Sequence, residues 1–307
     1  MPAGEPLLIK PRGPGEVLDQ AAYLVRSGWG RSLQAVLLGY FPWALAAALP
    51  IVPGAIAFST GRMPPRETVY RHVLWMAIYL FTDFVLVRQF LRGWLFALDG
   101  AELRGLQVTN RHAAWHGLKR LPSAALATLF TAGPFGLLLL VMTMLASQDP
   151  AWLGIAFIAG PLLLLIGLPL TMFGYLAVAV ATLERRGPWA SLLRSFRLCG
   201  SGFGMLLATI LVLMILRVFA SLASGAVTNL WVQQAVTILV TGLFVIFDVA
   251  VESVLYYTLR SQRENYDLEL ISQEVELYGA EELEAAQPAL DRLKFGVTAR
   301  LPDGMQR

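Results

Sequence analysis

Charge is what this sequence has least of. Of 307 residues only 15% are charged and 56% are hydrophobic, with a mean hydropathy of +0.60. A soluble domain carries roughly 25% charge, so these few ionic groups are too sparse to coat a water-facing surface of ordinary size. Cysteine is nearly absent too. Cys199 stands alone, which excludes an intramolecular disulfide. No base is identifiable beside it, and it reads as a small apolar filler, not a nucleophile. Histidine is scarce, with His72, His112 and His116 only. His112 and His116 share a helical face at a spacing metals accept, yet no carboxylate or thiol stands near them. They suit an interfacial polar face, and neither a metal nor a cofactor is expected. His-Glu-x-x-His and Gly-x-Ser-x-Gly are missing, and the pair Gly200 and Gly202 follows no strand and precedes no phosphate-loop lysine.

Long apolar runs are present instead. Several exceed the ~18 residues that mark a bilayer span. The expected fold is all-α: a polytopic membrane protein of six spans at about 33–58, 72–98, 122–147, 151–183, 203–223 and 229–259. Residues 1–16, rich in Pro and Gly, form an expected disordered leader. No early apolar core with a small-residue cleavage site follows Lys10 and Arg12, so no cleavable signal peptide is expected. Leu18, Ala21, Ala22, Val25 and Trp29 fall near helical spacing and predict a short helix lying on the membrane surface. Pro42, Pro50 and Pro53 predict a kinked first span. The polar stretch 99–121 and residues 190–199 predict further surface helices. The run 150–183 is uncharged over some 34 residues, about 50 Å of helix against a ~30 Å core. It must tilt and project, or break at Pro161 and Pro169. Gly133, Gly136, Ala208 and Ala223 are expected to allow close helix packing.

Basic residues set the orientation. Lys10, Arg12, Arg26 and Arg31, the arginines and lysine of 99–121 and 184–202, and Arg260 and Arg263 all fall on one side of a six-span topology. The loops of the other side hold Arg62, Arg66 and Arg71. The positive-inside bias then makes both termini cytoplasmic. The net charge of +3 is scattered along loops and not gathered into a basic domain, which argues against a nucleic-acid partner. Arginine outnumbers lysine 21 to 3, a bias of GC-rich bacterial genomes. The tail, 261–307, is the counterweight: 264–284 carries eight acids and no base. Its apolar stripes, Leu268, Ile271, Val275 and Tyr278, then Leu283, Ala286, Leu290 and Leu293, predict two short cytoplasmic helices that dock on the protein's own loops or on a partner. Trp115, Leu118 and Arg120 recur as Trp189, Leu192 and Arg194 at a constant offset of 74 residues, with Tyr23 and Arg26 a looser echo. This raises a parallel threefold repeat of surface helix, span, turn and span, beside chance recurrence of common interfacial residues.

Ionisable groups inside spans cost about 2.5–3.5 kcal/mol each at the centre and are paired or functional. Arg88 and Asp248 should sit at one depth, Arg92 and Glu252 one turn nearer the cytoplasm. Both couples have i, i+4 spacing and share a helix face. The expectation is that the second and sixth spans pack through Arg88–Asp248 and Arg92–Glu252, with Asp83–Arg217 a weaker third pair. These six are either a buried ionic clamp or the lining of a polar path.

Two stretches carry a resemblance. Leu183-Glu184-Arg185-Arg186-Gly187 with Leu192-Leu193-Arg194-Ser195-Phe196-Arg197-Leu198, and Tyr256-Tyr257-Thr258-Leu259-Arg260 running into Glu264-Asn265-Tyr266-Asp267-Leu268-Glu269-Leu270, resemble the loop and exit motifs of a bacterial six-helix membrane-domain family. That family includes the membrane domain attached to some glycerophosphoryl diester phosphodiesterases. The likeness covers mainly residues 180–270 and holds no counterpart of their soluble catalytic barrel. It implies a six-helix inner-membrane module without assigned chemistry. The function expected is a non-enzymatic scaffold or anchor in the cytoplasmic membrane of a bacterium. Its expected partners are the lipid bilayer and membrane or cytoplasmic proteins, with homo-oligomers allowed for. The alternative is a small transporter or lipid-handling protein with a polar intramembrane site, and an intramembrane enzyme stands third.

Overall fold

The computed structural model describes residues 13–46, 74–75, 77–104, 108–148, 171–225 and 229–264. Of the leader expected at 1–16, residues 1–12 lie outside the described residues, while Pro14, Gly15 and Glu16 are already helical as the first turn of α1. The loop after the first span, Pro161 and Pro169, and the acidic tail beyond residue 264 also lie outside the described residues. Within them the protein is all-α, with seven α-helices: α1 Pro14–Gly39, α2 Arg88–Glu102, α3 Asn110–Gln148, α4 Ala177–Leu183, α5 Pro188–Ser201, α6 Phe203–Gly225 and α7 Leu230–Glu264.

The expected surface helix at 17–29 is not a separate element. It is the first half of α1, which runs on without interruption into the first apolar run. Pro14 opens the helix at a position that needs no N–H, and the Gly13 N–H donates to Glu16 Oε2 at 3.2 Å, which satisfies one free donor of the helix start. Val17, Ala21, Leu24, Gly28, Ser32 and Ala35 make one buried stripe. Its period continues through the expected boundary, so nothing in the packing breaks the helix there. The surface helix of 99–121 merges in the same way. From Asn110 it continues through Pro122 as α3. The stretch before α4 is interrupted at Tyr175 and Leu176, between helical residues 171–174 and α4 itself.

The axis of the assembly is α7, which touches α1, α2, α4, α5 and α6. Its stretch from Val249 to Leu259 is buried at every position. Opposite in character is α6, whose Leu211, Met214, Ile215, Val218, Phe219 and Leu222 are exposed. By length and hydropathy two segments of the described residues are able to cross a membrane, Phe203–Leu222 and Ala235–Glu264.

Of the residues expected at close helix contacts, the side-chain surroundings of Gly136 and Ala223 lie outside the described residues, and among the described residues a Cβ built on Gly133 meets Leu129 of its own helix, at 3.7 Å. The tight crossing is between α2 and α3, where Gly93 and Gly117 bring the two backbones together. A Cβ on Gly117 would lie 2.7 Å from the Trp94 backbone nitrogen and 3.0 Å from the Gly93 carbonyl carbon. Backbone atoms cannot swing aside as a side-chain tip can. A second crossing seats Gly242 of α7 against Val36 of α1. The 74-residue repeat does not hold at this level. Leu118 is exposed while Leu192 is buried, and α3 carries on through its second half where α5 stops at Ser201.

Gly117→Ala is expected to lower stability by about 1–3 kcal/mol through overpacking, read as a fall in the thermal melt of the detergent-solubilised protein. Gly133→Ala, which meets no neighbouring helix among the described residues, should be neutral or slightly stabilising, since Ala is the better helix former. Equal behaviour of the two variants would refute the crossing.

Candidate functional site

The ionisable side chains of the spans come together as three pairs, and one of these is a pair expected from the sequence. Arg92 on α2 meets Glu252 on α7: its Nη2 donates to Glu252 Oε1 at 2.6 Å and to Oε2 at 2.5 Å. The pair is enclosed, with Glu252 2% and Arg92 18% exposed. Arg92 Nη1 also donates to Gln89 Oε1 at 3.3 Å, and the guanidinium stands 5.8 Å from the centre of the Phe96 ring.

The other two pairings differ from the expectation. Arg88 does not reach Asp248. Its Nη2 donates to Asp83 Oδ2 on its own helix, at 2.7 Å. On an α-helix residues five apart point about 140° away from each other. Here Asp83–Val87 forms a π turn, in which the Arg88 N–H bonds to the Asp83 carbonyl. That widened turn returns the fifth residue to the same face. The expected Asp83–Arg217 pair is therefore also replaced. Asp248 accepts instead from Arg217 Nη2 of α6, a helix that packs on α7.

The π turn also positions the expected pair. A π turn disturbs the regular carbonyl ladder, and the Phe84 carbonyl accepts from Gln89 Nε2 at 2.9 Å. Gln89 is itself buried and turns its amide oxygen to Arg92. A chain of bonds thus runs from the backbone of the turn through Gln89 to Arg92 and Glu252. Tyr175, at the interruption before α4, was not singled out by sequence. Its hydroxyl is buried without a hydrogen-bond partner among the described residues, and it lies within the electrostatic reach of Glu252, Asp248, Arg92 and Arg217.

A second ionic group gathers where α7 ends. Glu184 accepts from Arg186 Nε at 2.6 Å, from Arg194 Nε at 3.1 Å and from the Tyr256 hydroxyl at 2.9 Å. Arg194 Nη2 donates to Glu264 at 2.6 Å, and Arg260 Nε reaches the same carboxylate at 3.2 Å. Burial of Arg194 works against its charge, but the hydrogen bonds to Glu264 and Glu184 outweigh that and raise its pKa. The backbone allows this convergence through Arg185, which takes a left-handed conformation with φ 56° and offers its carbonyl to Arg120 Nη1 at 3.3 Å. The two stretches that carry the resemblance are therefore one contact in space. The sequence showed each separately, and no spacing rule joined residues some 70 positions apart.

His116 is occupied by the Thr182 carbonyl at 3.0 Å, and His112 lies at an exposed position on α3. Among the described residues no group of three or more His, Cys, Asp or Glu gathers. Cys199 is fully buried. Burial pushes its thiol up to about 11, against a lowering hydrogen bond from Ser195. At neutral pH it is a protonated thiol without the thiolate character of a nucleophile. Compared with models of protein families, with curated proteins and with solved structures, the chain matches none.

Removing one partner of the enclosed pair, by Glu252→Leu or Arg92→Leu, is expected to cost about 3–5 kcal/mol, while replacing both by leucine should be close to neutral. Denaturation of the purified variants reads this directly. A double variant as damaged as the sum of the singles contradicts the pairing. Cys199 should resist maleimide at pH 7 in the folded protein and react on unfolding; rapid labelling of the native state would show that it is not enclosed.

Proposed function

We propose that this chain is a non-enzymatic, multi-pass module of a bacterial inner membrane, with six spans and both termini cytoplasmic, that scaffolds or anchors partner proteins through its cytoplasmic loops and acidic tail. Membrane residence is supported by α6, whose outward side chains are almost all apolar. An exposed apolar surface of that extent is costly in water and natural in lipid. The resemblance to the six-helix membrane domains of some glycerophosphoryl diester phosphodiesterases points the same way.

The observation that carries the scaffolding half of the proposal is the clamp at Glu264. Arg194 and Arg260 hold its carboxylate at the residue where the acidic stretch 264–284 begins. The first residue of that stretch is thus fixed to the bundle, and a charged segment anchored at its start suits a docking element for a membrane or cytoplasmic protein. The three intramembrane pairs then serve as a clamp, since Asp83, Asp248 and Glu252 are each neutralised by a neighbouring arginine. A second reading, a small transporter or lipid-handling protein with a polar site between the helices, is favoured by the unpartnered hydroxyl of Tyr175 beside two of those pairs.

Truncation after residue 264 separates the two readings. Co-purification from native membranes is expected to lose its protein partners on truncation while the bundle stays in the membrane. Retention of the same partners, with loss of a transported solute's flux in Tyr175→Phe, would reject the scaffold in favour of transport.

A further inference from the structure

The start of α3 and the flank of α2 enclose a groove that none of the ionic pairs uses. It holds about 680 Å³ and is lined by Phe90, Arg111, His112, Ala114, Trp115 and Leu118. The size lies within the roughly 300–1,000 Å³ of small-molecule sites. One end is polar and basic, formed by Arg111 and His112; the other is apolar, formed by Phe90, Ala114, Trp115 and Leu118. Trp115 is 56% exposed, and the Lys119 ammonium stands 5.3 Å from its ring centre. Arg111, His112 and Lys119 are all exposed, and among the described residues no carboxylate pairs with any of them.

The groove's polarity changes along the helix axis. From Arg111 to Leu118 α3 rises about 10 Å. A bilayer passes from headgroups to hydrocarbon over about 5–8 Å on each side. A helix entering the membrane at Asn110 sets Arg111 and His112 among the headgroups and Leu118 among the acyl chains. Tryptophan belongs at that boundary, and cytoplasmic leaflets carry the anionic lipids that basic side chains attract.

We propose that this groove binds one anionic phospholipid, with its phosphate on Arg111 and His112 and an acyl chain along Phe90, Ala114, Trp115 and Leu118. The proposal rests on the inner-membrane reading above. Selectivity comes from the charged end: a zwitterionic lipid fills the apolar part equally well but gains less from the guanidinium and the nearby ammonium.

The test uses the full chain in lipid nanodiscs of phosphatidylethanolamine with or without phosphatidylglycerol, with retained lipid measured by native mass spectrometry. Wild type is expected to retain phosphatidylglycerol in preference to phosphatidylethanolamine. Arg111→Gln with His112→Gln should cut that preference by about fivefold or more. Arg197→Gln, at an exposed position of α5 outside the groove, should leave it unchanged. Equal retention of the two lipids by wild type overturns the proposal. So does an equal loss in Arg197→Gln, which means general surface charge, or displacement of the lipid by millimolar inorganic phosphate, which means a free-phosphate site. Recovery of the intact chain from the aqueous fraction without detergent overturns the membrane reading itself, a failure distinct from the other three.

Discussion

The contact between Arg92 and Glu252 is the constraint around which the rest is arranged. A charge taken out of water is costly unless an opposite charge and further hydrogen bonds replace its hydration. Glu252 stands in the middle of a run of α7 where every neighbour is buried. It is held there by a guanidinium from a helix that shares no turn or loop with α7. The pair ties residues 160 positions apart, and so fixes α2 against the axis of the bundle. Because the attraction weakens as a side chain is displaced, the pair specifies rotation and height as well as proximity.

Several features of α2 follow from that requirement. The π turn at Asp83–Val87 spends Arg88 on Asp83 and sends Gln89 to brace Arg92. Without the extra residue in that turn, Arg88 and Asp83 would face apart and each would be left without the other's charge. Directly after Arg92 in sequence, Gly93 packs on Gly117 and lets α3 press on the same helix. The arginine is thus held by a helix whose own rotation is fixed by backbone contact. At the C-terminal end of α7, Glu184, Arg194, Tyr256, Arg260 and Glu264 repeat the device with more solvent access.

Much of this was legible in the chain. Apolar runs and sparse charge gave the all-α class, and α6 and α7 begin and end close to the runs at 203–223 and 229–259. Depth counting found Arg92 with Glu252 because both helices are regular α-helix over the residues between each charge and the helix end. The same counting matched Arg88 to Asp248 by depth and took no account of Asp83, which the π turn at Asp83–Val87 brings to the face of Arg88; no residue there announces a π turn. The surface helix expected at 190–199 stands as a separate element, α5. The other two were expected as separate elements because polar composition changes at their ends, whereas the backbone has no reason to stop where composition changes if the buried stripe goes on. The ionic group at the end of α7 escaped notice because its members are individually ordinary interfacial residues. Only the left-handed Arg185 and the fold of α5 back onto α7 bring them together.

The most direct measurement is a solid-state NMR experiment on the protein in lipid bilayers, with arginine labelled in its guanidinium nitrogens and glutamate in its carboxyl carbon. Transfer from the Arg92 nitrogens to the Glu252 carboxyl is predicted, as a cross-peak that disappears in Glu252→Gln while the signals of the ionic group at the end of α7 remain. A spectrum in which Glu252→Gln removes no arginine contact would contradict the account, because α2 would then have nothing ionic holding it to the central helix.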